Sequence, residues 1–169
     1  MDFQLEDIVL YGADGVCKVS EITERVIDNA VEKYYILRPL YDKKSTIFVP
    51  QSNEKLLGRM RELASEKDIN IALETAVKAD YIWIDNDADR KVGFRKIIED
   101  GEIGQMLVLF KSLYFHRDKQ AENGKKLHVA DERMLKSVDK VLCDVFSYVL
   151  KVPRDDVTSS IEEKFNLKK

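Results

Sequence analysis

The sequence predicts an α+β protein, with a small, strongly bent sheet or SH3-like barrel followed by an all-α part of about five helices. Three observations carry this expectation. The first fifty residues alternate β-rich runs with turn clusters. After residue 52 the apolar spacing changes abruptly to a helical period. The composition, 44% hydrophobic with only 7 Gly and 3 Pro over 169 residues, excludes disorder and collagen-like repeats. The expected domains are 1–52 and 53–169.

Asp7-Ile8-Val9-Leu10-Tyr11 is the first β-rich run, closed by the turn cluster Gly12-Ala13-Asp14-Gly15. Val16 to Val26 is a longer strand with Cys17 and Val19 on one face. Its parity slips before Ile22, which predicts a bulge near Ser20-Glu21. Asp28-Asn29-Ala30 makes a turn, and Lys33 to Arg38 returns. Ser45 to Val49 forms a short strand that stops at Pro50.

Leu56, Leu57, Met60 and Leu63 have the spacing of a first helix. Ser65 caps a second, whose inner face is Ile69, Ala72, Leu73 and Ala76. Asp80 to Asp89 is an acidic connector around Tyr81, Ile82 and Trp83. A helix follows from about Arg90 to Asp100 and ends at Gly101. Ile103 to Tyr114 carries a wide apolar stripe, broken by residues 121–126. Asp131 starts a further helix with its stripe from Met134 to Phe146. After Pro153, Val157, Ile161 and Phe165 mark a last short helix.

Net charge is −3, which does not advertise nucleic-acid binding. Residues 1–52 hold 6 basic and 9 acidic residues and suit a protein partner, whereas residues 53–169 hold 22 of each. Residues 111–126 carry 5 basic and 2 acidic residues, a solvated helix end or a phosphate patch. Acidic residues in the first seven positions do not suit a signal peptide. A cytoplasmic protein without a membrane span is expected. Cys17 and Cys143 give no disulfide framework and read as small buried hydrophobes. His116 and His128 lack companions at metal-ligand spacing. No Gly-rich phosphate loop leads from a strand into a helix. The expectation is therefore no enzyme, no cofactor, no metal and no small-molecule substrate. Trp83 is either a residue packing the connector onto the helices or an exposed aromatic wedge of the kind used in the minor groove.

The ordered set Asp7-Ile8-Val9-Leu10-Tyr11, Gly15-Val16, Ile22, Tyr34-Tyr35-Ile36-Leu37 and Val49-Pro50 resembles the RNA-polymerase-interacting domain of CarD-like bacterial transcription regulators. That domain also occurs in transcription-repair coupling factors. Arg90, Gly101, Leu113-Tyr114, Lys125-Lys126-Leu127 and Glu132-Arg133-Met134-Leu135 are similar to the family's helical domain.

The resemblance implies a Tudor-like barrel that pairs a strand with the RNA polymerase β subunit. It also implies a helical domain that contacts promoter DNA and modulates open-complex stability. By the same resemblance Arg25, Phe48, Val49 and Pro50 bind polymerase, with Phe48 standing where the family has an arginine. Trp83, Arg90 and Arg133, together with Lys91 and with Arg117 and Lys119 of the basic stretch, are the residues expected to contact DNA. The family tryptophan position falls at Asp87, and Glu132 replaces a family lysine. The alternative is a protein-only adaptor without DNA contact.

Overall fold

The computed structural model describes residues 2–167, so the expected units 1–52 and 53–169 reach past it at their outer ends. Five antiparallel strands, β1 (Ile8–Tyr11), β2 (Val16–Ile27), β3 (Ala30–Pro39), β4 (Ile47–Pro50) and β5 (Met60–Glu62), pair in the order β4-β3-β2-β1-β5. A one-turn helix, α1 (Glu54–Leu57), lies between β4 and β5. The helices α2 (Glu66–Lys78), α3 (Asp87–Asp100), α4 (Ile103–Glu122), α5 (Val129–Leu150) and α6 (Arg154–Lys164) follow. The fold is α+β, as expected.

The β2–β3 register shifts between Val19 and Glu21, the bulge that the parity slip predicts. Ser20 is the extra residue, and its hydroxyl donates to the Ile36 carbonyl at 3.0 Å. Asp28 and Asn29 both have positive φ, 50° and 61°. This is the two-residue turn whose twist suits a hairpin, and it favours Asn and Asp.

One expectation is corrected. The helix expected over Leu56 to Leu63 is only α1. Met60–Glu62 instead forms β5 and pairs with β1, Tyr11 opposite Met60. The sheet thus continues past residue 52. Ser65 caps α2 as expected, forming a reciprocal capping box with Asp68. Gly101 closes α3 in the left-handed region.

The sheet is buried on both faces where β1 and β2 cross. Val9, Tyr11, Cys17 and Val19 point into a small core with Phe3, Leu37 and Val49. Leu10 and Val16 are paired opposite one another, and they point the other way into the helical core. Burying such side chains contributes about 1.5–3 kcal/mol each, so the two parts hold each other in place.

A polar anchor completes the junction. Asp144 of α5 is fully buried and takes Arg154 at 2.8 Å and Lys140 at 3.5 Å. Lys140 also donates to the Asp14 carbonyl at 2.8 Å. Gly15 sits over this group at φ 83°, and an added Cβ would meet an Asp144 oxygen at 2.1 Å. Only glycine fits there.

Candidate functional site

Two surfaces carry the expected site residues. The first is the β4 edge of the sheet. Antiparallel pairing places Arg25, Phe48 and Pro50 on one face. The Arg25 guanidinium lies 4.7 Å from the centre of the half-exposed Phe48 ring. The sequence places these two residues side by side only through the register. Val49 points the opposite way and is 0% exposed, so its side chain is a core residue and only its backbone lies at the edge. Gln51 N–H bonds the Lys33 carbonyl at 2.8 Å, which fixes the alternation of the ladder. By that alternation Phe48 turns its N–H and C=O away from β3. An edge of this kind is a template for a further strand. Ile22, Val26, Ile27 and Val31 extend exposed apolar surface along the adjoining hairpin.

The second surface surrounds Trp83, on the connector between α2 and α3. The indole stacks on His116 of α4, with ring centres 3.5 Å apart and planes at 19°. Arg90 lies 4.4 Å from its centre, and Phe94 meets it edge-on at 6.0 Å. Two groups this close to one ring must take opposite faces. Trp83 is half-buried and packs against the helical core, which is the packing alternative for this residue.

Arg90 is the clearest departure from expectation. It is 4% exposed, and all five guanidinium donors are engaged. Nε and Nη2 bind the two oxygens of Asp131 at 2.9 and 2.8 Å. Nη1 binds the carbonyls of Ile84 and Asp85, and Nη2 also binds Asp87 at 2.7 Å. A buried guanidinium with no donor left has none to offer a phosphate. Arg90 therefore holds the connector through the Ile84 and Asp85 carbonyls.

Burial, then the charges of Lys119 and Arg90, lowers the His116 pKa below the ordinary imidazole value. Lys91, Lys119 and Arg133 are exposed. Arg117 is half-buried, stacked 4.0 Å from the Tyr114 ring centre and paired with Asp118 at 3.1 Å. It lines a cleft with Lys125, Lys126 and Lys136, apart from the Trp83 cluster. The expected DNA residues thus divide into separate groups.

Lys111 leaves the basic stretch altogether. It is buried and donates to the carbonyls of Ala76 and Ala79, closing the C-terminal end of α2. Burial also lowers its pKa. Both cysteines are buried, and burial pushes the Cys17 thiol up to about 12. His128, without a metal or catalytic partner in the sequence reading, is the N-cap of α5.

The partners of Arg90 and Trp83 escape sequence reasoning. Asp131 reads as a helix-start acid and His116 as a surface residue. The only local signal is Asp87, three positions before Arg90.

Residues 3–64 match the family model of the CarD-like/TRCF RID domain, which spans all five strands. No curated protein matches the chain. Among the described residues no helix is long and apolar enough to cross a membrane.

Proposed function

Residues 3–64 of this chain form a CarD-like/TRCF RID domain, and from that premise we propose a non-catalytic regulator of transcription initiation. The domain makes the chain an RNA-polymerase-interacting, transcription-related protein. The finer reading is that the β4 edge adds a strand to the polymerase β subunit. Arg25 and Phe48 flank that strand, and Pro50 ends it. The observation that carries this reading is the Arg25–Phe48 contact on an exposed strand edge within the matched domain. The excess of acidic residues over residues 1–52 supports a protein partner on this side.

The helical part then contacts promoter DNA beside the polymerase and modulates open-complex stability. Lys91, Lys119, Arg117 and Arg133 are the cations available for phosphates, because such contacts position a protein on the duplex. Trp83 takes part through its edge, since both ring faces are covered. Arg90 and Asp131 act as positioning residues for it. The reading is tested by co-purification of the chain with polymerase, followed by open-complex lifetime on a forked promoter fragment. A lifetime that changes on adding the protein supports DNA modulation.

A second reading is favoured by the withdrawal of Arg90 from the surface. In it the helices bind another protein, and the chain is an adaptor at polymerase without DNA contact. Affinity for the forked fragment that falls steeply with salt supports the first reading. Absence of binding supports the second.

A further inference from the structure

The cleft between the end of α4 and the first turns of α5 holds chemistry that, Arg117 apart, neither surface uses. Its cavity of about 370 Å³ lies in the range of small-ligand sites. Leu127 and Leu135, both buried, form an apolar floor beside Tyr114. Arg117, Lys125, Lys126 and Lys136 bring four cations to its walls, against the carboxylates of Glu132 and Asp139.

The cleft's cations that make no ion pair among the described residues are Lys125 and Lys126, whereas Arg117 already faces Asp118. Glu132 is paired with Lys136 at 3.5 Å. Asp139 accepts the Thr158 hydroxyl at 2.8 Å, and burial raises its pKa above the ordinary carboxylate value. Arg117 is fixed in advance by its stack on Tyr114 and its pair with Asp118, so little side-chain freedom is lost on binding an anion there.

The shape argues against a duplex, because a double helix cannot enter a recess of this size. Inorganic phosphate would use the cations but leave the leucine floor and the carboxylates idle. A nucleotide uses all three. Its phosphates meet the cations, its flat ring meets the leucines and Tyr114, and its hydroxyl or amino donors meet Glu132 and Asp139. We propose that this cleft binds a nucleoside di- or triphosphate. Arg117 is shared with the DNA reading, and the rest of the cleft is separate from it: Asp131 turns towards Arg90, whereas Glu132, Lys136 and Asp139 line the cleft from another side of α5.

The test is isothermal titration of the full chain with ATP and with GTP at about 0.15 M salt, where exposed charges are screened beyond about 8 Å. Pyrophosphate and a short DNA duplex are titrated in parallel. Saturable binding of at least one nucleotide is expected, tighter than pyrophosphate. It should weaken at least about tenfold in Lys125→Glu/Lys136→Glu, a loss of the size expected for charge-assisted contacts. Ala121→Trp, which fills the cleft without changing charge, should weaken it as well. Both changes lie on exposed positions, and a thermal melt checks that the fold survives. The proposal is overturned if neither nucleotide binds, if pyrophosphate binds as tightly, if both variants bind normally, or if the duplex displaces the nucleotide competitively.

Discussion

Arg90 and Asp131, 41 positions apart in sequence, form a two-pronged ion pair with both side chains 5% exposed. Parallel N–H···O bonds of 2.9 and 2.8 Å give the bidentate geometry that fixes orientation as well as distance. The pair ties α3 to the first turn of α5. The remaining Arg90 donors hold the connector that carries Trp83.

Removing one partner strands a buried charge. Asp131→Ala should therefore lower stability by about 3–5 kcal/mol in urea unfolding. Replacing both partners, as in Arg90→Met/Asp131→Leu, should cost much less, because no unpaired charge remains. Equal losses in the single and double variants would contradict this account.

Trp83→Ala should cost about 1–3 kcal/mol through the lost ring pair and the lost cation–π contact. A free wedge would leave the melting temperature unchanged, and the stacked geometry excludes that outcome. As the chain's only tryptophan, Trp83 also reports on its surroundings. Its emission should shift red in Asp131→Ala as the connector loosens.

The His116 pKa lies below its unfolded value near 6.5, so the folded state favours the neutral ring. Its stabilising contribution is complete above about pH 6.5. It is lost as the pH falls from there towards the lower folded value. Replacement by Gln removes that titration. Melting temperature should therefore fall more steeply between about pH 7 and 5 in the wild type than in His116→Gln. Parallel curves would remove His116 as the cause.

Gly15→Ala should destabilise the chain by about 2–5 kcal/mol, combining left-handed strain with overpacking. The added methyl falls on the buried Asp144 carboxylate. Urea unfolding measures the loss, and a neutral effect would contradict the described junction.

Much of the fold is legible in the sequence because its signals are local. The parity slip at Ser20-Glu21 predicts the bulge, and Ser65 and Gly101 mark helix ends through their own chemistry. Met60–Glu62 is read as helix because three residues with one buried side chain show no alternation. Leu56, Leu57, Met60 and Leu63 fall by coincidence on a helical spacing. The site is less legible. Arg25 and Phe48 meet through strand register, and Arg90 finds Asp131 across tertiary structure. Nothing within a turn of Arg90 names that partner. An arginine read as a phosphate contact is therefore a buried ion pair, and Lys111 is drawn from a basic stretch into a helix end.

The central claim is that the Arg25–Phe48 edge docks on polymerase, and titration of the full chain against the isolated RNA polymerase β subunit tests it most directly. Arg25→Glu should weaken binding by about 1.5–3 kcal/mol, roughly 10- to 150-fold, with the melting temperature unchanged. Lys91→Glu, on the helical part, should leave this affinity intact. Equal affinity for wild type and Arg25→Glu, with both folded, would contradict the account.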